Sequence, residues 1–452
     1  MSTIARFCFI NFYFAIVASQ RASVQISVKQ SGLDQVKDDV LSFISSKLAS
    51  VLLPTFYGEN FQVSNVKIDV FEAGSGESMT SPPNGYKIIS QGGAVVVKGE
   101  WKVWQMAHFF TSSITLSYEG ALSARIPGAA FTQDFVLRSN GGKPEFAVGS
   151  CEVDLGKVQV QVHDTSRPWV IETVVNATEQ PIRDALLRLM CPVITEVLRD
   201  ESSALTRRFD ANFPLFLQTG VKLDLLRSPA ARLDSVDIYV RGRSFPLSNP
   251  QLSFPFPSPL LPSPLTSSHM SRFTLSTYVI NTLLYSLHVD EYFRESFTSG
   301  QIREFSQTLP RAPLGIFASR SVGIIFESDH SPDARLKPPY IEISGNFTLT
   351  VRRTLASRSR TISRSRAEAT ILLSISANSS AVQVITERTE LSLGNPLIRA
   401  MASDSLTKAI GPAVQSALNH AIFSFPQHFG YSPYFISTEV AENFIRVDAD
   451  FR

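Results

Sequence analysis

Three groups of side chains in this 452-residue chain carry chemistry worth weighing: the cysteines, the histidines and a run of arginines. Cys151 and Cys191 are an even pair once Cys8 is set aside in the leader, and they read as a bridge or as two buried thiols. His163 and Asp164 are neighbours on a predicted strand, so their side chains face opposite ways and form no dyad. His420 and His428 flank a Phe425-Pro426 break with no carboxylate to complete a metal site. The chain has no G-x-S-x-G elbow, H-E-x-x-H, C-x-x-C or phosphate-binding G-x-x-x-x-G-K-[ST]. The reading is therefore not an enzyme, with no metal and no cofactor. Arg352, Arg353, Arg358, Arg360, Arg364 and Arg366 run without an acid until Glu368. The middle of this run, Ser357 to Arg366, reads as a polar hairpin tip. On an anionic lipid surface each such residue is worth about 1 kcal/mol.

The compartment follows from the N-terminus. Phe7 to Val17 is a short apolar run after a basic start, ending in small and polar residues, which reads as a signal peptide over 1–20. No later stretch has 18 consecutive apolar residues. A secreted, extracellular protein is expected, in which a Cys151–Cys191 bridge can persist. Asn176, Asn346 and Asn378 head Asn-x-Ser/Thr sequons, candidate glycosylation sites. Lys+Arg 42 against Asp+Glu 40 leaves +2, so no basic field points to nucleic acid. Hydrophobic residues at 44% and charged residues at 18% exclude a mainly disordered chain.

The elements that position these groups occur twice. Seven prolines between Phe245 and Leu265 preclude helix or central strand, and predict an extended linker over 245–271 whose Phe and Leu lie against the domains. It separates an N-terminal domain, 21–244, from a C-terminal domain, 272–452. Each half opens with an alternating segment (Val24–Val28; Phe273–Val279) followed by apolar residues at helical spacing. Leu33, Val36, Val40, Phe43, Ile44 and Leu48 mark that helix in the first half. A β-rich meander follows in each half, over about 61–165 and about 314–393. A long helix closes each: Trp169 to Phe209, which Pro181 and Pro192 should kink or divide, and Asn395 to Phe423. The same order twice reads as a tandem duplication.

A curved antiparallel meander along a long apolar helix encloses an apolar lining. Sequence alone leaves two outcomes, a filled core or a slot for an acyl chain. Burial is worth about 0.8 kcal/mol per methylene, so about fourteen of them supply on the order of 10 kcal/mol before losses.

Several stretches carry a family resemblance: Val24 to Asp34, Val97-Lys-Gly-Glu-Trp101-Lys, Leu116 to Arg125, the two cysteines, the Pro-rich junction, the Asn395-Pro396 helix and the last strand, Glu442 to Phe451. In this order the chain resembles the family of bactericidal/permeability-increasing protein, lipopolysaccharide-binding protein and the phospholipid- and cholesteryl-ester-transfer proteins. The resemblance implies an α+β fold: an elongated two-domain boomerang, each domain a highly curved antiparallel sheet (a barrel) wrapped on a long helix, joined by a central antiparallel sheet. It implies that Cys151 and Cys191 tie a barrel strand to the long helix. It implies an apolar pocket per domain holding phospholipid or another acyl lipid. Candidate lining residues are Leu33, Val36 and Val40 on the first helix and Leu186, Leu189 and Val193 on the long one. Implied partners are lipids and membrane or lipoprotein surfaces, met peripherally and reversibly. The function expected is lipid binding with possible transfer, against an innate-defence binder of lipopolysaccharide or a non-lipid scaffold. Nothing in the sequence fixes an oligomeric state.

The chain departs from the lipopolysaccharide binders, which resemble one another in a cationic N-domain tip. Here the hairpin from Lys98 to Phe110 keeps two lysines beside Glu100, and residues 21–245 carry 23 basic and 24 acidic residues. Strand alternation places Trp101 and Val103 with Val95 and Val97 on one face. Trp104 and Met106 fall on the outward face and are candidate membrane contacts, together with Arg358, Arg360, Arg364 and Arg366.

Overall fold

The computed structural model describes residues 22–49, 51–109, 112–208, 212–214, 219–262, 268–297, 322–355, 358–378, 381–394, positions between 407 and 419, and 433–451. The expected signal peptide, the ends of the second long helix, and His420 and His428 lie outside them. The described positions between 407 and 419 are helical. Two compact units result. One comprises 28–209 and 228–236; the other gathers the described residues of 1–27, 210–227 and 237–452.

The first unit begins with α1 (Gln30–Leu48), entered directly from β1 (Val24–Lys29). Its sheet is built from β2 (Phe56–Tyr57), β3 (Phe61–Glu72), β4 (Ser75–Ser81), β5 (Gly85–Phe109), β6 (Ser112–Asn140), β7 (Lys143–Asp154) and β8 (Gln159–Val162). Its order is β2-β3-β5-β6-β7, with β4 on β5 and β8 on β6, each pair antiparallel. The path is open, so the expected barrel is not closed by hydrogen bonds. β5 and β6 would each run on the order of 80–100 Å if flat. Register breaks bend them instead, at Ser64/Lys67 and Ile68/Val70 against β5, at Ser90 to Ala94 against β6, and at Gln133/Phe135 against β7. Gly93 sits between two such breaks, where a Cβ would run into the carbonyl oxygen of Glu72.

Across this sheet lies α2 (Pro168–Arg208), 41 residues and so about 60 Å long. It runs as one helix through Pro181 and Pro192, which do not divide it. Its buried row is Val170, Val174, Thr178, Ile182, Leu186, Met190, Ile194 and Leu198, one residue in every four. A step of four overshoots a 3.6-residue turn by about 40°, so the row winds around the helix as the twisted sheet does. The buried Thr178 hydroxyl donates to Val174 O at 2.7 Å, which removes its polarity from the seam. The Cys151–Cys191 disulfide joins β7 to α2 with Cα atoms 5.6 Å apart.

α1 buries Gly32, Leu33, Lys37, Leu41, Ile44 and Leu48. This corrects the expected face: Val36 is exposed and Val40 and Phe43 are half-buried. Lys37 takes the inner position because its stem is apolar and its Nζ reaches Gly76 O at 2.8 Å and Asp38 Oδ1 at 3.0 Å. Polar bonds fix the start of the helix to β4 and β5. Ser78 Oγ donates to Asp34 Oδ1 at 2.7 Å, Gln30 Nε2 to Ser78 O at 2.8 Å, and Tyr86 Oη to Leu33 O at 2.9 Å. Burial pushes the Tyr86 hydroxyl pKa up, so it stays a donor.

Two further sheets lie mostly in the second unit. One is assembled from β9 (Asn212–Pro214), β10 (Thr219–Leu225), β11 (Ala230–Ala231), β12 (Ser235–Pro246), β13 (Ser271–Ser276), β20 (Pro433–Ala441), β21 (Phe444–Phe451) and β1. Its order, β20-β21-β13-β1-β12-β10-β9, sets strands of both halves of the chain side by side. The opening strands β13 and β1 meet at its middle, flanked by the closing strands β21 and β12, as a tandem duplication would arrange them. Arg272 grips Asp448 across β13 and β21 with bonds of 2.7 and 2.9 Å.

β13 ends at Ser276, and Val279, expected on the strand, starts the buried face of α3 (Thr277–Val289). The other sheet contains β14 (Arg294–Phe297), β15 (Val322–Ser328), β16 (Asp333–Lys337), β17 (Tyr340–Leu355), β18 (Arg358–Asn378) and β19 (Ala381–Leu393). It too is open, in the order β14-β15-β17-β18-β19 with β16 on β17. The edge of β19 is occupied by helical side chains. Asn419 accepts from Val384 N at 2.6 Å and donates to Val384 O at 3.1 Å, and Gln415 accepts from Thr386 N at 2.9 Å. The Pro-rich segment packs rather than hanging free. Phe254 and Phe256 set their rings against Tyr278 and Tyr285 of α3 at 5.6–6.2 Å, and Arg243 Nη1 donates to Leu252 O at 3.2 Å.

Candidate functional site

Burial divides the six expected lining residues. Leu33 and Leu186 are sealed in the core. Val40, Leu189 and Val193 are half-buried, and Val36 is exposed. A side chain with no accessible surface cannot touch a guest, whereas one that is packed below and open above can. The accessible apolar positions are thus Val36 and Val40 on α1 and Leu189 and Val193 beside the α2 seam. α1 and α2 touch one another within the same unit.

At one end of the sheet, β5 and β6 run on as a hairpin. Alternation is kept: Val95, Val97, Trp101 and Val103 are buried, while Lys98, Glu100 and Lys102 are exposed. Trp101 Nε1 donates to Ala121 O at 2.9 Å, so its one polar atom is satisfied inside. Trp104 is half-buried and Met106 is 59% exposed on the outer face. The inner face is covered as far as Tyr118, against which Trp169 at the start of α2 packs edge-on at 5.7 Å and Arg167 stacks at 4.7 Å. Beyond that point Leu116 and Ile114, opposite Gln105 and Ala107, are 44% and 51% exposed. Sequence reasoning missed these two. The signal was present, because no Asp, Glu, Lys or Arg occurs from Val103 to Tyr118. The hairpin end is uncharged and offers apolar side chains on both faces.

The arginine run is strand rather than turn: β17 ends at Leu355 and β18 starts at Arg358. Arg364 and Arg366 are exposed on one face of β18, whose opposite face buries Ser365, Ala367 and Ala369, and Arg360 is exposed beyond a register break at Val351/Arg352. None of the three has an ion pair among the described residues. Ile362, 48% exposed, stands between them. The Arg358 side chain lies outside the described residues. β19 pairs with β18 only from Ala367 onward, so Arg360 and Arg364 stand beyond its end.

His163 and Asp164 lie just past the end of β8 and serve separate partners. His163 Nε2 meets Ser123 Oγ at 3.0 Å, and Asp164 accepts from Ala121 N at 3.0 Å. Asn176, Asn346 and Asn378 are exposed, on α2, β17 and β18. Among the described residues no cluster of His, Cys, Asp and Glu could hold a metal ion, and no helix is long and apolar enough to cross a membrane.

Mixed α+β units of open, bent antiparallel sheets, one of them wound on a disulfide-fastened helix of 41 residues, define the fold class of bactericidal/permeability-increasing protein. A solved lipopolysaccharide binding protein superposes with a TM-score of 0.63 at 16% identity, covering 96% of this chain and 99% of that one. The family model for the LBP / BPI / CETP family, N-terminal domain, matches residues 32–200. The lipopolysaccharide-binding protein of Bos taurus is 21% identical over 287 residues, which are 61% of this chain and 58% of that protein's length. Residues 32–200 are thus similar to the N-terminal domain of the LBP/BPI/CETP family, and the fold is that of the solved lipopolysaccharide binding protein.

Proposed function

We propose that this protein is a secreted lipid carrier. It holds phospholipid-like acyl chains against the accessible apolar side chains of α1 and α2, and meets lipid surfaces through the uncharged end of the β5–β6 hairpin. The observation carrying this reading is that Val36 and Val40 on α1 and Leu189 and Val193 on α2 keep accessible apolar surface on two helices that touch. Similarity of residues 32–200 to the LBP/BPI/CETP family model and to a lipopolysaccharide-binding relative supports lipid as the ligand class. No catalytic group is required, because transfer of methylenes from water drives binding at about 0.8 kcal/mol each.

Organic extracts of the purified secreted protein, read by mass spectrometry, should contain acyl lipid in stoichiometric amount. Leu189→Trp with Val40→Trp should lower that amount while the protein stays folded. An extract without lipid, together with no uptake of a fluorescent phospholipid, would leave the protein an interaction scaffold and reject the carrier.

The hairpin makes a separate prediction. Met106→Ser should weaken binding to neutral phosphatidylcholine vesicles about tenfold, the worth of one apolar side chain removed from the interface. Unchanged co-sedimentation with vesicles would remove the hairpin from the docking surface.

A second reading, a defence binder of bacterial lipopolysaccharide, is favoured by Arg360, Arg364 and Arg366, whose exposed guanidinium groups suit the phosphates of such a lipid. Salt-dependent binding to lipopolysaccharide much tighter than to neutral phospholipid would select it.

A further inference from the structure

Within the second unit, on the side of α3 away from its core face, lies a cleft of about 720 Å3. Small-ligand sites run to about 300–1,000 Å3. The core face of α3 uses Val279, Ile280, Leu283, Leu284 and Leu287, whereas the cleft uses Asn281, Tyr285, His288 and Val289. Nothing in the acyl lining or the hairpin touches it.

Its chemistry has two parts. Phe256 from the Pro-rich segment, Tyr285 and Phe293 supply aromatic surface, with Phe256 and Tyr285 nearly perpendicular at 79° and 6.2 Å between centroids. Glu291, Glu327 and Asp333 line it; Arg294, also in the lining, reaches Glu291 at 2.7 Å and Glu327 at 3.8 Å, and Arg335 reaches Asp333 at 3.1 Å from outside it. Three carboxylates against these two arginines leave one net negative charge with the histidines neutral. Burial, and next the neighbouring His330, hold the His288 pKa below the usual imidazole value, and its Nδ1 meets Ser328 Oγ at 2.6 Å. The acids do not converge as metal ligands, since no such cluster exists among the described residues. An anion would meet the acidic excess. A soft, weakly hydrated cation meets both parts at once, because aromatic faces attract quaternary ammonium groups and carboxylates add the long-range field.

We propose that the cleft bordered by Phe256, Tyr285, Phe293 and Glu327 binds a quaternary ammonium group of the choline type. The group would come from a lipid head group or from a free small molecule. This site is independent of the carrier reading, since lipid extraction and choline titration report on different residues.

Titration calorimetry of the full chain with choline chloride should show saturable binding at one site, with ethanolamine weaker. Glu327→Gln should weaken choline binding about fivefold. His330→Glu, a change at an exposed position, should tighten it by a similar factor, which a damaged fold could not mimic. Displacement of choline by phosphatidylcholine vesicles assigns the site to a head group, and retention assigns it to free ligand; both support the site. Absence of saturable choline binding, or affinities equal in the native protein and both variants, overturns it.

Discussion

Replacing Cys151 and Cys191 together by alanine should destabilise the unit built on α2 by about 4 kcal/mol. The bridge spans 40 positions of sequence, and closing a loop of that length removes about 13 cal/mol/K from the unfolded chain in the entropy model. The loop it closes holds the end of β7, β8 and the first half of α2. Unfolding with the bridge intact must therefore keep the helix tethered to the strand it packs on. For a unit of this size the loss corresponds to a melting temperature lower by about 8–16 °C. Urea denaturation of the native protein and the double variant, without reductant, measures it. Reductant should then lower the native protein to the level of the variant and leave the variant unmoved. A difference below about 1 kcal/mol would mean that the unfolded chain is already held compact by other contacts.

What the sequence disclosed depended on whether the periodicity in question had a competitor. Strand alternation has none, because a residue lies on one face or the other. Trp104 and Met106 were therefore placed outward, and Trp101 and Val103 inward, from spacing alone. Helical faces are less definite. On α1 the expected face follows the apolar residues alone and so runs through Val36 and Val40. In the structure the stem of Lys37 fills the inner position and its amine reaches Gly76, so the buried row is 33, 37, 41, 44 and 48. On α2 the difficulty is geometric. A row of one residue in four drifts around the helix, so no fixed stripe is available to be read. Leu186 falls in that row, while Leu189 and Val193 fall beside it and remain accessible. The cysteine pair follows from count and compartment, while the elements it ties came from family resemblance, since two thiols forty residues apart have no local signature. The register breaks that bend β5 and β6 left no mark in alternation except Gly93 and its neighbours. The Pro-rich segment was expected to lie against the fold, and the aromatic partners it met, Tyr278 and Tyr285, sit on the outward face of a helix whose core face is otherwise complete.

Neutralising the arginine row should have the largest effect on function. Arg360→Gln, Arg364→Gln and Arg366→Gln together should weaken binding to phosphatidylserine-containing vesicles at low salt by about 3 kcal/mol, on the order of 100-fold, at about 1 kcal/mol for each charge near the surface. The three residues are exposed along β18, with Arg360 beyond a register break, and span about 20 Å at the rise of an extended strand. A row of that length meets several lipid head groups at once, and no ion pair among the described residues competes for it. The effect should vanish in about 0.5 M salt, where the screening length falls to a few ångströms, and should be absent on neutral vesicles at any salt. A different physical role would give a different result. β18 extends past the end of β19 with Arg360 and Arg364 on the overhang, and charged overhangs keep strand edges from pairing with other chains. If that were their whole role, the triple variant would bind anionic vesicles as the native protein does and would instead self-associate as concentration rises. Vesicle co-sedimentation and light scattering on the same preparation separate the two, because docking predicts a change only in the first and edge protection only in the second.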